Sequence, residues 1–147
     1  MFNIDYINGI SMSNQRSTRE TIENLFATVG GGASPEQIAT LFSVDIDWNI
    51  AGDVVSVPWI GRKVGRAGVA EFYQQIRDQL ISERFELHAI LAEGERGVVL
   101  GQLASRARST GKLMETAFAF DLTVRDGLIV RCHMLEDSYA VAQALQP

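Results

Sequence analysis

The stretch "FAFDLTVRDGLIVRCHMLED", residues 118–137, decides the fold of this chain. It contains two runs of alternating apolar and polar residues on either side of an Asp-Gly pair, Asp126 and Gly127. An Asp-Gly pair between two such runs is typical of a tight β-hairpin turn. The pattern therefore predicts two antiparallel strands, over 113–125 and 128–136.

The alternation also predicts which side chains face inward. Successive side chains of a strand point to opposite faces, so Asp121 is expected to point away from Phe118 and Phe120, toward the outer face of the sheet. The more apolar set of the second strand is expected inside, and it consists of Val130, Cys132, Met134 and Glu136. The opposite set consists of Ile129, Arg131, His133 and Leu135. Of the acid–base groups in the stretch, Glu136 is the one predicted to face inward.

The remaining chain reads as helices followed by a β-rich half. Periodic apolar residues and capping signals predict helices over 17–32, 34–42 and 66–80, and a last helix in "DSYAVAQAL", with Asp137 as its N-cap. Alternation predicts further strands over 44–52, 84–92 and 97–108. The segment "SVPWIGRKVG", residues 56–65, is interpreted as a loop.

This order of elements predicts one α+β domain over residues 1–147. Residues 1–16 form an N-terminal extension, whose apolar side chains we expect to pack against another part of the protein. A strongly bent antiparallel sheet with helices packed on its concave face would enclose a pocket for a small apolar ligand.

Composition and charge exclude several classes of protein. The formal net charge is −5, which argues against nucleic acid or an anionic membrane surface as a partner. No apolar run approaches the roughly 18 residues of a membrane span. A single cysteine excludes an internal disulfide and, with no signal segment visible, predicts a cytoplasmic location. No His, Cys and Asp cluster has metal-ligand spacing, so neither a metal site nor a cofactor is predicted.

Glu136 is the candidate catalytic residue. A carboxyl group that is partly removed from water near aromatic side chains has a raised pKa and can act as an acid or a base. The alternative is that Glu136 lies at the rim of the pocket, where it is solvated or paired with an arginine. Both interpretations remain open from the sequence.

Six other residues are candidates for the pocket wall: Trp48, Trp59, Tyr73, Ser105, Phe120 and Met134. Trp59 lies in the loop before the third helix and is placed to act as a lid at the pocket mouth. Ser105 belongs to the small side chains of strand 97–108, whereas Arg106 and Arg108 are expected on the outer face with Asp121. A substrate site lined by these arginines is the alternative.

Three segments together resemble one family: "VDIDWNIAG", then "PWIGRKVGRAGVAEFY", then "EGERGVVLGQLASRARSTGKLMETAFAFDLTVRDGLIVRCHMLEDSYAVAQAL". Their order is similar to that of the SnoaL-like proteins, in the superfamily of ketosteroid isomerase and nuclear transport factor 2. The resemblance implies a cone-shaped α+β fold, also called cystatin-like, with a deep apolar pocket. It further implies a homodimer formed through the outer face of the sheet.

The resemblance also implies where relatives carry their catalytic groups. The positions that match the base Asp, the oxyanion-hole Asp and the oxyanion-hole Tyr of the isomerases are Ile50, Phe120 and about Leu25, all apolar here. Asp121 lies one residue out of register with the acid of the polyketide cyclases. The strand with Arg106 lacks the neighbouring Asp of the limonene epoxide hydrolases. Steroid isomerisation is therefore not expected.

Two functional hypotheses follow. The first is an enzyme without a cofactor that acts on an apolar oxygenated metabolite by proton transfer, as an isomerase, cyclase or hydrolase. Glu136 would be its acid–base group, with Tyr73 or Ser105 as hydrogen-bond partner. The second is a protein of the same fold that binds a small apolar ligand without converting it.

Overall fold

The computed structural model describes residues 16–147, and these residues form four helices and six strands. The helices are α1 (Thr18–Gly30), α2 (Pro35–Ala39), α3 (Gly65–Gln79) and α4 (Ser138–Leu145). The strands are β1 (Phe42–Ile50), β2 (Gly61–Val64), β3 (Leu80–Glu93), β4 (Arg96–Ala107), β5 (Leu113–Arg125) and β6 (Leu128–Glu136). The expectation that the N-terminal extension packs on the protein concerns residues 1–15 almost entirely, and these lie outside the described residues.

The strands form one curved, unclosed sheet in the order β2-β1-β6-β5-β4-β3. This confirms the predicted α+β class. All neighbouring strands are antiparallel except β1 and β6, which run parallel. The fully antiparallel sheet of the prediction was therefore wrong at one pair. The loop predicted over 56–65 was also wrong in part, because its second half forms the short strand β2.

Side-chain caps begin α1, α2 and α4 at the predicted places, whereas α3 has no side-chain cap. The Ser17 hydroxyl accepts a hydrogen bond from the Glu20 backbone N–H at 3.1 Å. Ser34 and Gln37 form a reciprocal capping box at α2. The Asp137 carboxylate accepts from the Ala140 N–H at 3.0 Å, which begins α4 directly after β6.

The β5–β6 hairpin turns at Asp126 and Gly127, whose φ angles of 52° and 76° are both positive, as a type I′ turn requires. Beyond the turn the pairing shifts, since Val124 pairs with Ile129 whereas Thr123 pairs with Arg131. This bulge reverses the predicted faces of the first residues of β6, so Ile129 is fully buried. Val130, which was expected to face inward, is the unpaired residue and is half-buried.

An aromatic cluster anchors α3 to the inner face of the sheet. The Trp48 ring lies 5.6 Å from Phe42, 4.9 Å from Phe72 and 6.2 Å from Tyr73, measured between ring centroids. Cys132, at the centre of β6, pairs with Trp48 on one side and is 2 % exposed. Its burial raises the pKa of its thiol.

Gly101 permits a close approach of the β3 backbone and of a β5 side chain to β4. A Cβ atom at this position would lie 2.1 Å from the Glu86 carbonyl oxygen and 2.5 Å from Cζ of Phe118. The Phe118 ring instead stacks on Phe85, with 5.0 Å between centroids and 18° between planes. The absence of a side chain at Gly101 therefore leaves room for the Phe118 ring to stack on Phe85.

Gly101→Ala is expected to lower the free energy of unfolding by about 1–3 kcal/mol, because β3 or the Phe118 ring must move. Urea denaturation followed by tryptophan fluorescence measures the change. The matched control is Gly30→Ala at the end of α1, where an added Cβ meets nothing within 4 Å. The control should change the free energy of unfolding by less than about 1 kcal/mol. Equal effects of the two substitutions would contradict the close approach at Gly101.

Candidate functional site

A cavity of about 960 Å³ lies between the inner face of the sheet and helices α1, α3 and α4. This volume is at the upper end of the range for sites that bind small molecules. Most of its wall is apolar, and four phenylalanines, Phe26, Phe72, Phe85 and Phe120, contribute flat surfaces to it. The cavity can therefore accept a ligand of several rings.

The structure places most of the sequence-predicted residues on this wall, namely Trp59, Tyr73, Ser105, Phe120, Met134 and Glu136. Trp48 is the exception, because it lies in the core behind the wall, packed on Phe42 and Phe72. Its Nε1 is buried and has no hydrogen-bond partner among residues 16–147. Trp59 is 4 % exposed, so it is a fixed part of the wall rather than the exposed lid expected from the sequence.

Glu136 is the last residue of β6 and pairs in register with Phe118 of β5. Its side chain is half-buried and lines the cavity. Within residues 16–147 its carboxylate accepts no side-chain hydrogen bond and joins no ion pair. Burial, and secondly the neighbouring charge of Asp137, raises the pKa of Glu136 to about 7. The carboxyl can therefore exchange a proton at neutral pH.

Tyr73 places a second buried titratable group, a phenol hydroxyl, on the cavity wall. Its side chain projects from α3, and the residue is 8 % exposed. Burial, with a smaller contribution from Cys132, raises the pKa of its hydroxyl far above the ordinary value. The phenol therefore stays neutral and can donate a hydrogen bond to a ligand.

Ser82, Arg77 and Arg108 also line the cavity, although the sequence did not single out the first two. Arg108 was expected on the outer face, and this expectation was wrong. β4 ends at Ala107, so strand alternation no longer determines the direction of Arg108 in the following turn. Its backbone N–H donates to the Gln79 carbonyl, which places the turn beside the end of α3.

The outer face carries a separate charged cluster. Asp47 receives hydrogen bonds from Arg131 at 3.0 Å and from His133 at 2.9 Å. Asp121 points outward, as alternation predicts, and pairs with Arg96 at 2.5 Å and Arg131 at 3.4 Å. The hydrogen bond with His133 lowers the pKa of Asp47. Burial opposes, but the hydrogen bond and charge of Arg96 lower the pKa of Asp121. These groups are ion-paired on the side of the sheet away from the cavity.

The described part of the chain has neither a cluster of metal ligands nor a membrane-spanning helix. Between residues 16 and 147 there is no group of three or more His, Cys, Asp and Glu side chains that could bind a metal ion. None of the helices in that range is long and apolar enough to cross a membrane.

Comparison with known proteins identifies similar chains. The family model that matches residues 22–132 is described as a SnoaL-like domain. A solved NTF2-like protein from Burkholderia xenovorans LB400 is 25% identical, with a TM-score of 0.79, and the match covers 90% of this chain and 99% of that one. A protein from Rhodopseudomonas palustris, provisionally named an isomerase, is 25% identical with a TM-score of 0.67 and coverages of 75% and 82%.

A third similar structure is that of TerC, which was co-crystallised with polyporic acid. It is 23% identical, with a TM-score of 0.76, and the match covers 88% of this chain and 98% of TerC. At this identity the likeness shows the fold alone. No curated protein matches the chain.

The pKa of Glu136 predicts how stability changes with pH. The folded protein binds the proton of Glu136 more tightly than the unfolded chain does, since the folded pKa is about 7 against an ordinary 4.5. The resulting stabilisation is fully present below the unfolded pKa and is lost as pH rises through about 7. Its size should be on the order of 3 kcal/mol.

Urea denaturation between about pH 5 and about pH 8 measures this contribution. Glu136→Gln should flatten the pH dependence and unfold at higher urea than wild type at the alkaline end. Glu93→Gln, at the exposed end of β3, is the control and should retain the wild-type profile. A Glu136→Gln profile that follows wild type would contradict the raised pKa.

Proposed function

Because the chain belongs to the SnoaL-like family, we propose that its cavity is the active site of an enzyme without a cofactor. The reaction is a proton transfer on an apolar oxygenated metabolite, of the isomerase, cyclase or epoxide-hydrolase type. The observation that carries this proposal is Glu136, a carboxyl that has no side-chain partner among residues 16–147 and lies on the wall of a largely apolar cavity. An unpaired carboxylate is costly to remove from water, and such groups concentrate at functional sites.

The pKa of Glu136 suits both directions of proton transfer. With a pKa of about 7, the acid and the carboxylate are both well populated at neutral pH. In an isomerisation, the Glu136 carboxylate accepts a proton from a carbon beside a carbonyl group. The acid then returns this proton to a different carbon, so Glu136 ends the cycle in its starting state.

Tyr73 is the proposed hydrogen-bond donor to the substrate. Its neutral phenol can donate to an oxygen on which negative charge develops, as oxyanion-stabilising groups do. Ser105 suits this role less well, because its partner Met114 lies four residues along β5 from Phe118, the partner of Glu136. Four residues of strand are about 13 Å, too far for both side chains to act on one reacting group.

Similar structures agree with this class of chemistry. One of them is provisionally named an isomerase, and TerC was crystallised with polyporic acid, a small organic molecule. These names describe other proteins, and their weight here is that of analogy within one fold.

A non-catalytic binding protein is the second candidate, and a specific observation favours it. The resemblance places the isomerases' polar groups at Ile50, Phe120 and about Leu25. In this structure Ile50 and Phe120 are apolar residues of the cavity wall, and Leu25 is 1 % exposed in the core. The pocket then lacks those catalytic groups and would bind a ligand unchanged.

A ligand screen followed by turnover assays separates the two candidates. Wild type and Glu136→Gln are screened by thermal shift against steroids, aromatic polyketides, terpenoid epoxides and fatty acids. A ligand at about 100 times its Kd should add about 2.7 kcal/mol of stability to both proteins. We expect wild type to convert at least one stabilising ligand, and Glu136→Gln to be slower by about 100-fold or more at equal binding.

The pH profile of the turnover rate provides the check on mechanism. The rate should change around pH 7, where Glu136 titrates. If ligands stabilise both proteins and neither protein converts them, the enzyme hypothesis is wrong and the binding-protein hypothesis is supported. Equal conversion by both would remove Glu136 from the mechanism.

We also propose that the chain forms a homodimer through the outer face of its sheet. Leu100 and Leu135 flank Ala119 in register on this face, and they are 41 % and 62 % exposed. Exposed apolar side chains on neighbouring strands are typical of protein interfaces.

The buried free thiol of Cys132 is in keeping with a reducing compartment, the cytoplasm.

Leu135→Glu tests the dimer. A charge at the centre of the outer face should shift the protein from dimer to monomer in analytical ultracentrifugation, because an unpaired charge is costly in an interface. Val55→Glu is the control, since Val55 is 92 % exposed in the loop between β1 and β2. Wild type sedimenting as a monomer would contradict the proposal.

A further inference from the structure

Four charged residues line the cavity, and their pairing is unequal. Glu23 forms an ion pair with Arg19 at 3.5 Å on the surface of α1. Arg77 donates to the Ala33 carbonyl oxygen at 2.6 Å. Among residues 16–147, the side chains of Arg108 and Glu136 have neither an ion pair nor a hydrogen-bond partner. The cavity wall therefore carries one unused cation and one unused carboxyl group.

The unused cation lies at the open end of the cavity. Arg108 is exposed and follows directly after β4, and its backbone is bonded to Gln79 at the end of α3. Arg77 belongs to the last turn of the same helix, so two cations border this end. Ser82 and Ser105 pair with each other across β3 and β4 and line the wall nearby. Guanidinium and hydroxyl groups together are suited to bind a carboxylate.

Glu136 lies well away from this end. Its register partner on β5 is Phe118, whereas the register partner of Ser105 on β5 is Met114. This offset of four residues corresponds to about 13 Å along the strands, and Arg108 follows Ser105 by three residues. The wall between the two ends includes Phe85, whose register partner Leu103 lies between Gly101 and Ser105 on β4, and its ring centroid is 5.9 Å from that of Phe26. Phe120 also contacts Phe26, at 5.4 Å, but lies two residues beyond Phe118, on the side of Glu136 away from Ser105.

We propose that the ligand of this cavity is an elongated aromatic carboxylate, bound with its carboxylate at Arg108 and with its other end toward Glu136. This inference rests on the proposed function only because both concern the same cavity. What it adds is the chemical class of the ligand. A molecule of two or three linked rings spans the distance. Its carboxylate supplies the counter-charge that Arg108 lacks among residues 16–147. Its rings stack on the side chains of Phe26 and Phe85.

The arrangement also keeps the two carboxyl groups apart. A ligand carboxylate next to Glu136 would repel its ionised form, whereas one at the exposed Arg108, beyond the level of Ser105, is well screened. The carboxylate thus orients the ligand, and the uncharged end of the ligand is the part presented to Glu136.

Isothermal titration calorimetry with two matched probes tests the inference. The probes are biphenyl-4-carboxylate and its neutral isostere biphenyl-4-carboxamide, each titrated into wild type, Arg108→Gln, Arg108→Lys and Arg62→Gln. Wild type should bind the carboxylate about tenfold more tightly than the amide. Arg108→Gln should remove this preference, and Arg108→Lys should retain part of it, because the charge remains.

Arg62→Gln is the matched control, since Arg62 is on the outer face and pairs with Asp47 at 3.2 Å. It should leave the preference unchanged. Raising NaCl from about 50 mM to about 0.5 M should reduce the preference in wild type, which gives a second measurement without any substitution. No preference in wild type, or the full preference in Arg108→Gln, would overturn the proposal.

The same titrations in Glu136→Gln distinguish this inference from the proposed function. A carboxylate preference that persists in Glu136→Gln supports the binding mode whether or not any ligand is converted. Turnover of neutral ligands only, with no carboxylate preference, would support the enzyme and reject the ligand class.

Discussion

The turn at Asp126 and Gly127 and the bulge at Val130 together set the register of the β5–β6 hairpin, and the functional site depends on that register. Side chains on a strand alternate strictly, so a slip of one residue would exchange the two faces of β6. Glu136 would then point outward, and the side chains of Arg131 and His133 would point into the cavity. The positive φ angles of both turn residues favour the tight hairpin and disfavour the slipped pairing.

This register gives the two faces of one sheet opposite electrostatic character. On the outer face, Asp47 and Asp121 have cationic partners, and their pKa values are lowered. On the inner face, Glu136 has no such partner among residues 16–147, and its pKa is raised. Residues fifteen positions apart in the same hairpin, Asp121 and Glu136, therefore differ in protonation behaviour because of the side of the sheet they occupy.

Local patterns were sufficient to predict much of the fold and of the candidate site. Alternation identified the inward direction of Glu136 and the outward direction of Asp121, and cap residues such as Ser34 and Asp137 marked where helices begin. These features depend on neighbours in the sequence. The class of fold followed from the order of such elements.

The features that the sequence did not predict depend on distant contacts or on breaks in a pattern. The parallel pairing of β1 with β6 joins Trp48 to Cys132, and no local signal reports such a pairing. The bulge at Val130 moved Ile129 to the inner face within an otherwise regular alternation. Arg108 lies one residue beyond the end of β4, where a strand-based assignment no longer applies.

The position of Cys132 gives the protein an internal reporter of its own opening. The thiol is the single one in the chain, lies at the centre of β6, and is 2 % exposed with a raised pKa. A thiol reagent can reach it only when the packing around it opens, because neither access nor a reactive thiolate exists in the folded protein. The rate at which native protein is labelled therefore reports how often this part of the core opens, without any engineered probe.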